Sequence, residues 1–385
     1  MTVRSVISAA CAVAVAASIV LPARQALSAG EDHGYVGSRG CGMCHKEVKP
    51  LWDTHGHSRM LRKVEGGAPE GASVTLPEGM TWADVSYLIG GDLYYARFAN
   101  SQGYVVTGPG TQWSMRGEAL TPFKADIENG TLKYSCVKCH TTGWMESGSY
   151  EKGVANDLPG IPGVWHENSV GCETCHGPGH EHILVKNKRD LKKKDKKADL
   201  KIIVGKSSEM CGECHKRNDE KKMINVVSPE LTQSRQQYSE LMASKKALMR
   251  VRCVDCHDPH SSSRGEAGFV RACEDCHKGK FAMPVKIAAM QDLECTECHM
   301  PRSARGAFDE MVGEYHLGDT VNHIFGITDD PNYKLDDGTG HATINSDGFA
   351  RLTVEMTCYA CHQSGEASTK SRAELLDHMK EVHEN

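Results

Sequence analysis

A mainly α chain with much irregular coil, wrapped around a stack of large apolar groups and carrying one small β-hairpin near residues 93–107, is the predicted fold class. Three observations predict it. Only 39% of the 385 residues are apolar and 6% aromatic, a thin supply for a protein-only core when ordering each residue costs roughly 1–2 kcal/mol. Sixteen of the seventeen cysteines fall into eight short motifs, each the length of one helical turn. Strand-like alternation is confined to one long stretch, between His45 and Cys136.

The chain opens Met-Thr-Val-Arg, runs apolar and alanine-rich from Val6 to Leu21 and closes on Ala26-Leu27-Ser28-Ala29. A basic start, a short apolar run and a small-residue cleavage site predict a secretory signal over 1–29, and hence export to a periplasm or cell surface. No later stretch is long and apolar enough to predict a membrane span.

Cys11 lies in that signal. The other sixteen cysteines form eight Cys-x-x-Cys-His motifs with none left over: Cys41/Cys44/His45, Cys136/Cys139/His140, Cys172/Cys175/His176, Cys211/Cys214/His215, Cys253/Cys256/His257, Cys273/Cys276/His277, Cys295/Cys298/His299 and Cys358/Cys361/His362. This is the attachment signature for c-type haem. The spacing sets two thiols on one helical turn to add to the haem vinyl groups, and the adjacent imidazole reaches the iron from the same side. A disulfide framework or zinc knuckles would need no histidine after every pair. Eight covalently bound haems are therefore expected, and they supply the missing apolar interior.

Twelve histidines lie outside the motifs, enough for a second axial histidine at every iron. Such ligation fills both axial positions and leaves only electron transfer. The distal candidates are His57, preferred to His55, then His182 with its neighbour His180, His260, His316, His323 and His341. His260 follows His257 too closely to reach the far face of the same iron, so it is expected to serve a neighbouring haem. His33, His166, His378 and His383 have less positional argument.

Tyr94–Phe98 and Gly103–Thr107 alternate around Asn100-Ser101-Gln102-Gly103, which reads as the β-hairpin. Lys186–Lys206 is densely basic and reads as a solvated linker, with docking of an acidic redox partner as the sharper alternative. Ser228-Pro229-Glu230 reads as the capped start of a helix running to Leu248. That helix separates two tetrahaem halves, 30–225 and 226–385. A net charge of −5 argues against nucleic acid as a partner.

The first half resembles the multihaem family of cytochrome c-554 and the related octahaem oxidoreductases. The matching residues are Cys41-Gly-Met-Cys-His45 with Trp52 and His57, Cys136-Val-Lys-Cys-His140-Thr-Thr-Gly143, and Gly171-Cys172-Glu-Thr-Cys-His176-Gly-Pro-Gly179 with His182. The resemblance implies that His182 serves the His45 haem and His57 the His176 haem. It also makes the His140 haem the first candidate for an open iron. Unlike several enzyme members, this chain keeps histidine in all eight motifs, and no tyrosine crosslink is identified. The expected function is electron transfer between redox partner proteins, with self-assembly into a filament as one arrangement. The alternative is an octahaem oxidoreductase acting on nitrite, hydroxylamine or tetrathionate at one open haem.

Overall fold

The computed structural model describes residues 34–148, 158–187, 202–203, 205–262, 268–278, 284–313, 315–363, 365 and 367–383. The signal, His33 and most of the basic run lie outside the described residues.

Alternation of side chains, rather than helical periodicity, organises the first half. Strands β1 (Leu61–Lys63), β2 (Val85–Gly90), β3 (Tyr95–Asn100), β4 (Gly108–Ser114) and β5 (Ala119–Phe123) form an antiparallel sheet in sequence order. Because successive residues point to opposite faces, Tyr87 and Ile89 pack with Leu61, Tyr134, Val137 and Trp165, whereas Leu88 and Phe98 pack with Val64, Val85 and Val106. Tyr134 and Val137 bracket Cys136 of the second motif, so one face of the sheet rests on that haem site. At the expected hairpin, β3 ends in a turn at Asn100, whose Oδ1 accepts from the Gln102 and Tyr104 amides. Residues 104–107 return beside it through single bridging contacts rather than as a full strand.

The helices are short: α1 (Gly37–Gly42), α2 (Val48–Asp53), α3 (Cys172–His176), α4 (His180–Asn187), α5 (Ser208–Gly212), α6 (Gln237–Met242), α7 (Cys295–His299), α8 (Val354–His362) and α9 (Arg372–Val382). Strands β6 (Thr141–Thr142) and β7 (Glu167–Asn168) pair with each other. A further sheet has the order β11 (Tyr315–Thr320), β10 (Ala304–Val312), β9 (Leu231–Gln233), β8 (Val226–Ser228). Ile224, Ala243, Ile324, Leu335, Leu352 and Met356 form the core of the second half.

Two expectations are corrected here. The fold is not mainly α: helix accounts for 27% and strand for 20%, in three sheets. The reason is that each Cys motif needs only about one turn, while the long segments between motifs bury their apolar residues on sheet faces. The helix expected from Ser228 begins only at Gln237. Ser228-Pro229-Glu230 turns the β8–β9 hairpin, in which Ser228 pairs with Leu231, because proline's fixed φ suits a tight turn as well as a helix start. Among the described residues no helix is long and apolar enough to cross a membrane.

Candidate haem sites

Each motif is a single turn with its histidine at the end. The amides of His45, His215, His257 and His277 donate to the carbonyls of Cys41, Cys211, Cys253 and Cys273 at 3.0, 2.9, 2.9 and 3.0 Å. In this geometry the thiols and imidazole of one motif share a face. The first motif departs from the expected placement of both thiols on a helix. Helix α1 stops at Gly42, so Cys41 lies within it while Cys44 falls in the turn beyond and is exposed. The turn keeps the one-turn spacing, since the Cys44 amide still donates to the Cys41 carbonyl at 3.1 Å. Cys136, Cys256, Cys273, Cys276 and Cys295 are exposed as well, whereas the other ten motif thiols are half-buried. The protein alone therefore does not enclose these six thiols. The reason is that the apolar interior expected around them belongs to the haems, not to side chains.

Among the described residues no two cysteines are joined as a disulfide, and no cluster of three or more His, Cys, Asp or Glu could hold a bare metal ion. Zinc knuckles, which need converging ligands, do not fit.

Haem does fit, and the test is the spacing of imidazoles. Two metal–nitrogen bonds of about 2.0–2.1 Å, plus about 1.1 Å from each ring centre to its nitrogen, span about 6.3 Å. Five motif histidines face a second histidine at that separation: His45–His182 at 6.3 Å, His57–His215 at 6.1 Å, His176–His260 at 6.2 Å, His257–His323 at 6.3 Å and His299–His383 at 6.1 Å. The chain places these partners by local means. Gly177, at φ +77°, ends α3 and turns the chain back so that His182 on α4 reaches His45. Asp258 accepts the His260 amide at 3.0 Å and contacts its Nδ1 at 3.1 Å. The amide of His323 donates to the buried carboxylate of Glu240 at 2.9 Å, and burial raises that carboxyl to about 8.

The outward ring nitrogens fix the tautomer. Nδ1 of His176 meets the Ile203 carbonyl at 2.6 Å, that of His299 the Phe325 carbonyl at 2.8 Å, and that of His362 the Ser368 carbonyl at 2.7 Å. A carbonyl can only accept, so these nitrogens carry the proton and leave Nε2 for a metal. Burial lowers His57, His140 and His323 to about 3, keeping them neutral, the ligating form.

The pairing corrects one inference drawn from the resemblance: His57 faces His215, not His176, whose position is taken by His260. Among the described residues His180, His316 and His341 face no motif histidine. His180 is exposed on α4, His316 bonds Asp309 at 2.6 Å, and His341 contacts the Thr339 hydroxyl at 3.0 Å. His383 stands outside the distal candidates that the sequence suggests. Its signal is the pair of closely spaced C-terminal histidines, and α9 brings the second of them to His299.

His140, His277 and His362 face no second histidine among the described residues. Nδ1 of His140 contacts the Tyr134 hydroxyl, and Arg235 and Arg97 lie within electrostatic reach of it.

Contacts between cysteines of different motifs give the order of the sites. Cys41 lies within interaction range of Cys172, Cys139 of Cys214, Cys211 of Cys253 and Cys273 of Cys295. Cys175 lies within electrostatic reach of Cys211 and Cys214, Cys256 of Cys276, and Cys298 of Cys358 and Cys361. The sites of His45, His176, His215, His257, His277, His299 and His362 thus follow one another, and the His140 site joins as a branch at His215.

Comparison with known proteins agrees. The family described as cytochrome c554 and c-prime matches residues 112–177. Cytochrome c-554 of Nitrosomonas europaea is 23% identical over 216 residues, covering 54% of this chain and 67% of the relative. Among solved structures, the outer cell wall cytochrome OcwA superposes with a TM-score of 0.54 at 16% identity, over 90% of this chain and 86% of that one. The octahaem sulfite reductase MccA of Wolinella succinogenes does so with 0.52 at 16%, over 90% and 71%. The chain is similar in sequence to cytochrome c-554 over about half its length, and in fold to larger multihaem cytochromes along most of it.

Proposed function

We propose that this is an exported octahaem cytochrome that conducts electrons along seven sites in line, from the His45 site to the His362 site, between redox partner proteins. The observation that carries the reading is the set of five opposed imidazole pairs at 6.1–6.3 Å, a spacing with room for an iron and nothing more. Covalently held haem supplies one-electron chemistry at each site. The sixteen motif cysteines anchor it, and the motif histidines His45, His140, His176, His215, His257, His277, His299 and His362 ligate from one side. His182, His57, His260, His323 and His383 close the far side at five sites, excluding water and substrates. Each far-side histidine comes from a different stretch of chain than the motif it faces, so the sites brace one another. The signal-like run at 1–29 supports an exported protein at the periplasm or cell surface. Intact-mass measurement of the exported protein is expected to give eight haems, with low-spin signals dominating its electron paramagnetic resonance spectrum. Six haems or fewer, or a mainly high-spin spectrum, would sink the reading.

One observation favours a second activity on the same array. His140, like His277 and His362, lacks a facing histidine among the described residues, and its iron, on the branch, is proposed to be open and to bind a small molecule. Carbon monoxide added to the reduced protein is expected to bind there.

A further inference from the structure

We propose that Tyr134 is a positioning residue for His140 whose hydroxyl sets the reduction potential of the branch haem above those of the sites at His176, His299 and His362. This rests on His140 ligating a haem iron, as proposed above, and not on that iron being open. The sites differ in the hydrogen-bond partner of the outward ring nitrogen. At His176, His299 and His362 that Nδ1 meets a backbone carbonyl at 2.6, 2.8 and 2.7 Å, and at His215 it meets the Gln237 side-chain oxygen at 3.2 Å. At His140 it meets the Tyr134 hydroxyl instead, with the two ring centres 5.9 Å apart and the planes inclined by 61°.

An imidazole that holds iron through Nε2 keeps its proton on Nδ1 and donates it, so the Tyr134 oxygen is the acceptor. The oxygen of a neutral phenol carries less negative charge than an amide carbonyl oxygen, because a lone pair is shared with the ring. It draws less on the Nδ1 proton, the imidazole stays less basic, and ferric iron is stabilised less than at the carbonyl-bonded sites. A higher potential follows. Arg235 and Arg97, within electrostatic reach of His140, act in the same direction, since positive charge nearby favours the iron state of lower charge. The chain holds the contact firmly. Tyr134 is buried among Val137, Ile161 and Trp165, its amide donates to the Gly160 carbonyl at 2.8 Å, and the His140 amide donates to the Val137 carbonyl at 3.1 Å. Both ends of the turn Ser135–Cys139 that separates the two residues are thereby fixed. Electrons on the line therefore collect at the branch: ferrous iron in the line becomes ferric as ferric iron at the His140 site becomes ferrous, with no bond made or broken and no proton moved.

The test is a spectroelectrochemical titration of full-length holoprotein, with intact mass and resonance Raman spectra recorded for wild type, Tyr134→Phe and Tyr87→Phe. Tyr134→Phe keeps the buried ring and removes only the acceptor. The expected result is eight haems by mass and one midpoint raised, with reduction of that haem favoured by about three- to tenfold, the worth of one hydrogen bond; tenfold is about 59 mV for a one-electron couple. The other seven midpoints stay in place. Tyr87 lies in the same core, against Trp165, and Tyr87→Phe is expected to leave all eight midpoints unchanged. The iron–histidine stretch of five-coordinate ferrous iron is expected to move to lower frequency in Tyr134→Phe only. Eight unmoved midpoints in Tyr134→Phe, a midpoint that falls, or an equal rise in Tyr87→Phe would overturn the proposal. Absence of the iron–histidine stretch from wild type overturns the open-iron reading alone, since the midpoints still report on Tyr134. A wild-type mass with seven haems removes the reading on which the proposal rests.

Discussion

His383→Ala offers the sharpest test of how the haem sites are closed. The His383 ring faces His299 at 6.1 Å, the C-terminal helix that carries it is capped by Ser371, and Leu375 and Leu376 anchor that helix in the core. Lys286 donates from its backbone to the Val382 carbonyl at 2.9 Å, pinning the helix end in place. Removing the imidazole deletes one of five opposed pairs and leaves the helix anchors untouched. One of eight sites therefore loses its far-side ligand: the high-spin share of iron is expected to rise by one-eighth of the total, and one further carbon monoxide to bind per reduced molecule. Quantitative electron paramagnetic resonance and gas titration read both numbers. His378→Ala is the internal control, because that ring lies 3.4 Å from Lys370 Nζ and 3.6 Å from Glu381 and faces no motif histidine among the described residues. A His383→Ala spectrum identical to wild type, or the same change in His378→Ala, would refute the assignment of imidazole pairs to irons.

Three further changes probe the frame. Glu173 is buried and accepts from the amides of Val36, Gly37 and Gly179 at 2.7–3.1 Å, tying the first haem segment to the third; Glu173→Ala strands three donors, so a loss of about 3 kcal/mol or more is expected in denaturant melts followed by circular dichroism. Trp165 is fully buried in the core beneath the sheet, and Trp165→Ala is expected to cost about 3–5 kcal/mol in the same assay. Gly160→Ala would put a methyl 2.2 Å from the Gly103 carbonyl carbon and the Tyr104 nitrogen, both backbone atoms; the expected result is a sharp fall in the yield of fully haem-loaded protein, measured by absorbance and mass.

The motif cysteines and histidines are legible in the sequence because covalent attachment demands fixed residues at fixed spacing. How far the protein covers each thiol is not legible: nothing in Cys41-Gly-Met-Cys-His45 says that α1 ends before Cys44 and leaves it exposed. The far-side histidines are only partly legible, because their spacing to the iron they face is set by tertiary contacts. His182 and His323 stand out as candidates, yet the resemblance pairs His57 with His176 whereas its ring lies opposite His215, and His383 falls outside the set. The architecture misleads for a related reason. Eight helical turns suggest a helical protein, whereas the residues between them, such as Tyr87, Leu88 and Ile89, alternate and pair into strands.

The branch at His215 bears on how conduction and chemistry can share one chain. A site in the line has a neighbour on each side, so chemistry there would hold electrons that the line needs to pass on. A site on a spur meets the line at one point only. Substrate binding at the His140 site therefore leaves the path from His176 through His215 to His257 intact, while His215 still delivers or withdraws electrons. The five paired imidazoles all lie on the line, which also carries His277 and His362; these two, like His140 on the spur, face no second histidine among the described residues. The conductor and a reactive site on the spur are thus compatible readings of the same fold.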